Sequence, residues 1–479
     1  MTKRALISVS DKTNIVSLVL ALVRHGYEII STGGTAKLLH QDGIKVTEVS
    51  NYTGMPEALG GRIKTLHPSI AGGLLANWKS KKDRAEAKKL GIEPIQIVVN
   101  NFYPFEKEPS IETIDIGGPT MIRAAAKNYQ SVAVITDPGD YDWITTLLDD
   151  NNGELPLEVR KELAMKVFEK TSAYDSAIAS WLGSGNLQFT IYNLQKLRYG
   201  ENPHQKATLY QFGTQYSDHV EQLQGKELSY NNILDMDAAV GLVNEFDKNA
   251  CAIIKHNNPC GVALGKTAKE AYTYARETDP VSAFGGVIAF NCEVDQATAQ
   301  EIVSIFVELV SAPLFTKEAL VVLATKKAVR VLVVKPLSKT MDIKSVAGGL
   351  LVQTPDSGPE KEYPGDLGFA WKVAKHVKSN AIVFAKNNRT CGIGAGQMSR
   401  IDSTRLAIMK AKEAGFDLKG SVVASDGFFP FPDGVEAIAK TGATAIIQPG
   451  GSIKDDEVIA IADKLGITMV TTGVRHFRH

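Results

Sequence analysis

Residues 5–35 read "ALISVSDKTNIVSLVLALVRHGYEIISTGGT", and the way this stretch folds decides the class of the first part of the chain. "ALISVS" is a short apolar run of strand length. "SDKTNIVSLVLALVRHG" reads as a helix with Ser10 or Asp11 near the N-cap and Gly26 at the C-terminal end. "YEIIS" is a second strand, "TGGT" a glycine turn and "AKLLHQDG" the next helix. Strands alternating with helices predict a parallel α/β sheet. The pattern extends outward. "IQIVVNNFYPF" and "SVAVIT" are further strands, and "GGPTMIRAAAKN" is a glycine turn entering a helix, with Pro119 suited to its first turn.

A long helical stretch, "EVRKELAMKVFEKTSAYDSAIASWLG", ends at a boundary expected near residues 183–195. Two domains are therefore expected, 1–190 and 195–479. The second again mixes strand runs ("CAIIKH", "GGVIAF", "AIVFAKN", "SVVASDG", "ATAIIQPG") with helices. Residues 353–368, "QTPDSGPEKEYPGDLG", are rich in Pro, Gly and charge and are expected to link two lobes of the second domain. No short repeat and no low-complexity tract stands out.

Composition limits the function. The 479 residues exceed one core, 44% are hydrophobic and 22% charged, which is ordinary for a soluble globular protein. Lys+Arg and Asp+Glu both total 53. That balance argues against a general binder of nucleic acid or anionic membrane, which needs excess positive charge. It leaves open phosphorylated small molecules, which a local loop can hold. The four cysteines, at 251, 260, 292 and 391, contain no CxxC and no disulfide framework, which suits a reducing compartment. The N-terminal apolar run is too short for a signal peptide, and "IVSLVLALV" is far below the length of a membrane span. The expected location is cytoplasmic.

Several loops could carry chemistry. Ser10, Lys12 and Thr13 lie where a strand gives way to a helix, and Ser31, Thr32, Gly33, Gly34 and Thr35 at a second such point. A helix N-terminus offers unpaired N–H groups and a positive dipole end, so each loop could hold phosphate. A plain tight turn is the competing reading, since GxxxxGK[ST] is absent. In "GGRIKTLHP" (60–68) Arg62 and Lys64 alternate, facing one side if the segment is extended, with Thr65 and His67 beside them. Two cations there suit an anionic substrate or an oxyanion; a solvated basic loop is the plainer alternative. Asn100, Asn101 and Tyr103 end a strand, where open α/β sheets build their sites. Asp115 precedes another glycine turn, and Lys127 lies along the following helix.

Residues 251–261, "CAIIKHNNPCG", admit three readings. A zinc deaminase needs H-x-E and then P-C-x-x-C; Pro259-Cys260 is present but no second cysteine follows, so His256 and Cys260 cannot fill a zinc site. A thiol nucleophile competes with an inert buried cysteine, the commoner case. The third reading is a neutral histidine base, His256, beside the fixed cation Lys255.

Taken together, these segments resemble one family, the bifunctional AICAR (phosphoribosylaminoimidazolecarboxamide) formyltransferase / IMP cyclohydrolase of late purine synthesis. "SVSDKT", "STGGT", "GGRIKTLHP", "NFYPF" and "DIGGPTMIRAAAKN" look like the cyclohydrolase half. "LRYGENPHQ", "KHNNPCG", "DPVSAFGGVIAFN", "SNAIVFAKN", "GIGAGQMSR", "SDGFFPF" and "RHFRH" look like the transferase half. The ordered set covers nearly the whole chain. Phe102 stands where the family often has leucine and Gly427 where it often has alanine, and the 320–350 region is less typical.

The resemblance implies a methylglyoxal-synthase-like parallel-sheet domain followed by a cytidine-deaminase-like two-lobed α/β domain, in a homodimer with shared transferase sites. It implies 10-formyltetrahydrofolate as co-substrate and no metal in either step. For the transferase, His256 is the base and Lys255 the oxyanion stabiliser. Arg198, Tyr199, Gly285, Glu308, Asn380, Arg400 and Arg475 are carried over as nucleotide contacts, and Ile401, Asp426, Gly450 and Gly451 as folate-side contacts. For the cyclohydrolase, Lys64 stabilises the oxyanion, with Tyr103, Asp115 and Lys127 as proton-transfer or orienting groups. Ser10, Lys12, Thr13, Ser31, Thr32, Gly33, Gly34, Arg62, Thr65, Asn101 and Ile116 hold the ribonucleotide. Two other classes compete. Methylglyoxal-synthase-like domains also serve as allosteric modules, which would make this a nucleotide-binding regulatory protein; Lys64, Tyr103 and Lys127 together argue against it. The zinc-dependent nucleotide deaminase lacks its ligands.

Overall fold

In the computed structural model, the apolar run of residues 5–9 lies in β1 (Lys3–Val9) and feeds two cores. Ala5, Ile7 and Val9 join one, and Leu6 joins the other. The same alternation holds in β2 (Tyr27–Ser31) and β4 (Ile97–Asn101): Ile29, Ile97 and Val99 go to the first core, Ile30 and Val98 to the second. A strand buried on both faces reads as a continuous apolar run, which is why these strands are legible in sequence. With β3 (Val46–Glu48) and β5 (Ala133–Ile135) they form a parallel sheet of order β3-β2-β1-β4-β5.

The structure describes residues 2–59, 63–103, 105–183, 191–212, 215–336, 341–357 and 361–479. They divide into two units, Met1–Tyr192 and Asn193–His479. Three local expectations change in the first. Its first helix spans Ile15–Arg24 with Asn14, at φ 55, as N-cap. Ser10 and Asp11 instead stay in the preceding loop because Asn101 Oδ1 accepts both their N–H groups, at 2.7 and 2.8 Å. Gly33 and Gly34 are the first turn of the helix Gly33–Gln41, with Thr32 as N-cap, rather than a turn before it. Residues 63–65 form a turn and bend, so Lys64 is not on an extended strand, and Arg62 lies outside the described residues.

In the second unit an eleven-stranded mixed sheet carries two antiparallel hairpins at its centre. The first is Ala250–Lys255 with Asn258–Leu264; the second is Ile382–Lys386 with Arg389–Gly394. Their inner strands pair antiparallel with each other. Outward from the first hairpin run Val287–Phe290, Leu309–Ala312, Arg330–Val334 and the edge strand Val220–Gln224. Outward from the second run Val422–Ser425, Ala445–Gln448 and Thr468–Thr471. Each lobe is thus a hairpin followed by three mutually parallel strands.

One sheet face is covered by the helices Tyr230–Val243 and Gly365–Lys375, which share a single core reaching both lobes. On the other face each lobe has its own core. The helix Gly365–Lys375 begins inside the expected 353–368 linker. The lobes are also a repeat that a search for short repeats misses: Lys255, Asn257, Cys260, Gly261 and Gly265 recur, at constant spacing, as Lys386, Asn388, Cys391, Gly392 and Gly396.

Candidate active sites

The strand order of the first unit reverses between β1 and β4, the place where open parallel sheets bind ligands beyond their C-terminal ends. Asn101, buried at the end of β4, stitches the two loops together; besides holding Ser10 and Asp11 it donates to Asp11 O at 2.9 Å. Beside it lie the N-termini of two helices, Gly33–Gln41 and Gly117–Lys127. A Cβ on Gly33, which is at φ +43, would sit 3.4 Å from Lys64 Nζ; one on Gly34 would sit 3.9 Å from Lys12 Nζ. One on Gly117 would sit 3.0 Å from Thr65 Oγ1. Two ammonium groups and a hydroxyl therefore stand over helix ends whose N–H groups and dipoles favour an anion. Lys64 meanwhile pairs with Glu57 at 2.7 Å.

Asp115 caps the second of these helices by accepting the Gly118 N–H at 2.9 Å. Burial pushes its carboxyl up, against the pull of the Gly118 and Gly117 N–H groups. Its Oδ2 and Asn100 Oδ1 both crowd the space where a Cβ on Gly118 would be, at 2.6 and 2.9 Å. Asn100 Oδ1 is a buried acceptor with no donor among the described residues. Tyr174, not anticipated from sequence, fixes this segment: its hydroxyl accepts the Asp115 N–H at 2.6 Å and donates to Thr113 O at 3.2 Å.

Other expected residues take different places. Lys127 is the last residue of its helix, about 15 Å along the axis from Gly117, so this unit does not bring it to Asp115. Ser31 is fully buried and its hydroxyl donates to Ile7 O, leaving Thr32, whose hydroxyl meets Ser8 Oγ at 3.0 Å, as the nearer surface group. Thr13 turns back onto Asp11. Tyr103 and Ile116 are exposed.

In the second unit, Lys255 and His256 meet at the tip of the first hairpin. His256 and Asn257 have φ 53 and 62, a two-residue turn of the mirror-image kind that hairpins favour. His256 is exposed at the apex. Lys255 Nζ donates to Phe284 O and Gly285 O at 3.0 and 3.1 Å, and Gly285, at φ +67, leaves room for the ammonium. Adjacency has not put both side chains to one use: the lysine is tethered beside the glycine and the histidine is free to reach outward. Glu308 accepts from Arg330 at 2.7 Å.

Asn258 Oδ1 accepts the Lys378 N–H at 2.9 Å, linking this turn to the second lobe. There Arg400 donates to Asn380 Oδ1 (2.7 Å), Ser425 Oγ (2.7 Å) and Asp426 Oδ1 (2.5 Å). Asp426 is fully buried and Arg400 nearly so. Neither offers the open side-chain surface expected of a ligand contact; they hold Asn380 and the adjoining chain in place. Ile401 is partly exposed in the first turn of the helix Arg400–Glu413. Gly450 and Gly451, at φ +73 and +96, follow a strand, and Asp455 takes the Gly451 N–H at 2.6 Å. Arg475 is exposed over Phe477, and Arg198 is exposed over Tyr199.

The surroundings of the cysteines weigh against a thiol nucleophile. Cys260 Sγ contacts Ile253 O at 3.4 Å, and burial pushes its thiol up to about 12; Cys391 is pushed to about 11. Such thiols are not thiolate nucleophiles at neutral pH. Among the described residues no group of three or more His, Cys, Asp or Glu could hold a metal ion, and no helix is long and apolar enough to cross a membrane.

Comparison with known proteins adds an independent line. A family model described as AICARFT/IMPCHase bienzyme matches residues 125–410, and one described as MGS-like domain matches residues 14–133. The bifunctional purine biosynthesis protein PurH of Bacillus cereus (strain AH820) is 52% identical over 515 aligned residues, with 100% of each chain covered. The protein of that name from Bacillus mycoides (strain KBAB4) is 52% identical with the same coverage. A crystal structure of ForH is 38% identical, covers 38% of this chain and 100% of its own, and has a TM-score of 0.36.

Proposed function

Because the chain belongs to the AICARFT/IMPCHase bienzyme family, we propose that its two units divide consecutive reactions, ring closure in the first and formyl transfer in the second. The chain is a bifunctional enzyme of purine biosynthesis, an AICAR formyltransferase and IMP cyclohydrolase acting in the last two steps of IMP synthesis. The observation that supports the division is the presence of two separate polar constellations, the anion cradle of Lys12 and Lys64 and the hairpin tip of Lys255 and His256, each within its own unit.

Formyl transfer moves the formyl group of 10-formyltetrahydrofolate to the 5-amino group of AICAR. That amine is conjugated with the imidazole and carboxamide and attacks poorly without help. His256, at the exposed apex, takes the proton that the amine loses as its nitrogen bonds to the formyl carbon. Lys255 faces the oxyanion of the tetrahedral intermediate. The bond to N10 of the folate then breaks and that nitrogen regains a proton. Asn380, positioned by Arg400, and the backbone at Gly450 and Gly451 line the ligand side.

Ring closure follows in the first unit. The carboxamide nitrogen of formyl-AICAR attacks its own formyl carbon, and water leaves. The step is intramolecular, so holding the ribonucleotide still supplies much of the acceleration. The helix N-termini with Lys12 and Thr65 hold the phosphate end, Lys64 stabilises the oxyanion, and Asp115, whose carboxyl burial pushes up, is the proton-transfer group for the departing oxygen. Tyr103, exposed beyond β4, orients the ring. Neither step calls for a metal. Four unpaired cysteines suit a reducing compartment, so a cytoplasmic location is part of the proposal, as is a homodimer.

The deciding experiment supplies AICAR and 10-formyltetrahydrofolate to the whole chain and measures IMP. Lys64→Ala is expected to let formyl-AICAR accumulate while formyl transfer continues. Loss of both activities in a folded Lys64→Ala protein would defeat the division of labour.

A further inference from the structure

The hairpin tip that presents His256 is held from below by a side chain that neither reaction uses. Asp235 lies in the helix Tyr230–Val243, and its Oδ1 accepts the Asn257 N–H at 2.7 Å. We infer that Asp235 is a positioning residue for formyl transfer, fixing the left-handed turn so that the His256 imidazole stands where the amine proton must be taken. This rests on the reading of His256 as the base.

The physical need is specific. A turn with two consecutive non-glycine residues at positive φ is uncommon; histidine and asparagine tolerate it better than most, yet each such residue still costs energy that the surroundings must offset. The N–H groups of such a turn point inward, toward the helix. Asp235 meets them with a carboxylate; burial raises its pKa, while the Asn257 N–H, His256 and Lys255 all pull it down, so the three lie within its electrostatic reach. A base displaced by 1 Å loses much of its effect, which makes the turn's rigidity a catalytic matter.

The second lobe contains the same device without the chemistry. Asp366, in the helix Gly365–Lys375, accepts the N–H groups of Asn387 and Asn388 at 2.8 and 2.6 Å. These residues have φ 56 and 54 and occupy the positions of His256 and Asn257. The aspartate–turn pair is therefore a feature of the repeated scaffold, and only in the first lobe does it carry an imidazole. The second lobe is an internal control for structural effects.

The test uses the full-length chain with AICAR and 10-formyltetrahydrofolate. Asp235→Ala is expected to lower kcat for formyl transfer roughly 10- to 100-fold with KM for AICAR changed less than about threefold. Asp235→Asn, whose carboxamide oxygen can take the same N–H, is expected to recover most of the loss. Asp366→Ala should leave transfer kinetics at the wild-type level. In a His256→Ala background, Asp235→Ala should cost nothing further, because it acts through the histidine. If Asp235→Ala does not fold, Asp235→Ser, too short to reach the turn, is measured instead. Equal effects of the Asp235 and Asp366 substitutions, no kcat loss, or a further loss without His256 would overturn the inference. Normal transfer by His256→Ala would instead sink the assignment of the base, a result separable from any of these.

Discussion

The two hairpins of the second unit share a backbone but not a task. Both turn through two residues at positive φ, both are held by an aspartate from the helix below, and both continue into Cys-Gly. At the tip, one carries Lys255 and His256 and the other Lys386 and Asn387. Lys255 reaches Phe284 O and Gly285 O beside an open glycine, whereas Lys386 reaches Lys419 O. The contrast separates what the scaffold requires, which is present twice, from what the proposed chemistry requires, which is present once.

The largest break in this comparison is expected at the tips themselves. His256→Ala should lower formyl transfer by about two to four powers of ten, the contribution of a positioned acid–base group. Asn387→Ala should change it less than about twofold, and ring closure of supplied formyl-AICAR should be untouched by either. Near-normal transfer in folded His256→Ala would make the two tips equivalent and remove the assignment.

Much of this was legible in the sequence, though unevenly. The strands of the first unit announce themselves because burial on both faces makes them continuous apolar runs, and glycine pairs mark the first turns of two helices. The repeat was not visible, because the shared residues are few and the segments between them diverge; only the matching turns reveal Lys255 and Lys386 as equivalents. Residue identity also says little about reach. Lys127 was grouped with Asp115, yet a whole helix separates them, and Arg400 bonds Asp426 Oδ1 in the interior instead of facing outward. Positioning groups such as Tyr174 and Asp235 carried no sequence signal, since each acts on a backbone N–H distant along the chain.

Where the lobes agree, substitutions should hurt equally. A Cβ on Gly261 would lie 1.9 Å from Ala275 O, and one on Gly392 would lie 2.2 Å from Ala407 O. Each glycine lets a helix rest against the hairpin at backbone distance, so alanine must push that helix away. Overpacking of this kind costs about 1–3 kcal/mol, or roughly 2–5 °C of Tm in a unit of this size. Calorimetry should find Gly261→Ala and Gly392→Ala similar to each other. A large drop for one and none for the other would show that the cores of the two lobes differ in tolerance despite their common plan.

The smallest effect tests whether the lobes behave as one body, and it lies where their equivalent helices meet. Glu245 follows the first helix and His376 caps the second; their side chains bond to each other at 2.9 Å, with Lys375 Nζ 3.1 Å from the same carboxylate oxygen. Burial alone would raise Glu245, but the His376 hydrogen bond and the Lys375 charge outweigh it and hold the carboxyl at about 2. Burial lowers His376, so at neutral pH the ring is a neutral donor and Lys375 is the charged partner. A carboxyl depressed on folding stabilises fully above its unfolded pKa, near 4.5, and that contribution disappears as pH falls toward 2. The contribution is on the order of 1–3 kcal/mol. His376, also depressed, weakens the unit over a separate window that opens below pH 6.5. Trp371 reports on this unit once Trp78, Trp143 and Trp181 are replaced by phenylalanine, since those three all lie in the first. In that background, Glu245→Gln should lower the Tm at pH 7 by a few degrees, and the gap from the parent should narrow progressively as pH falls from 4.5 toward 2. A gap that stays constant across that window would mean Glu245 contributes by packing alone, and that the charge at the joint does not hold the two lobes together.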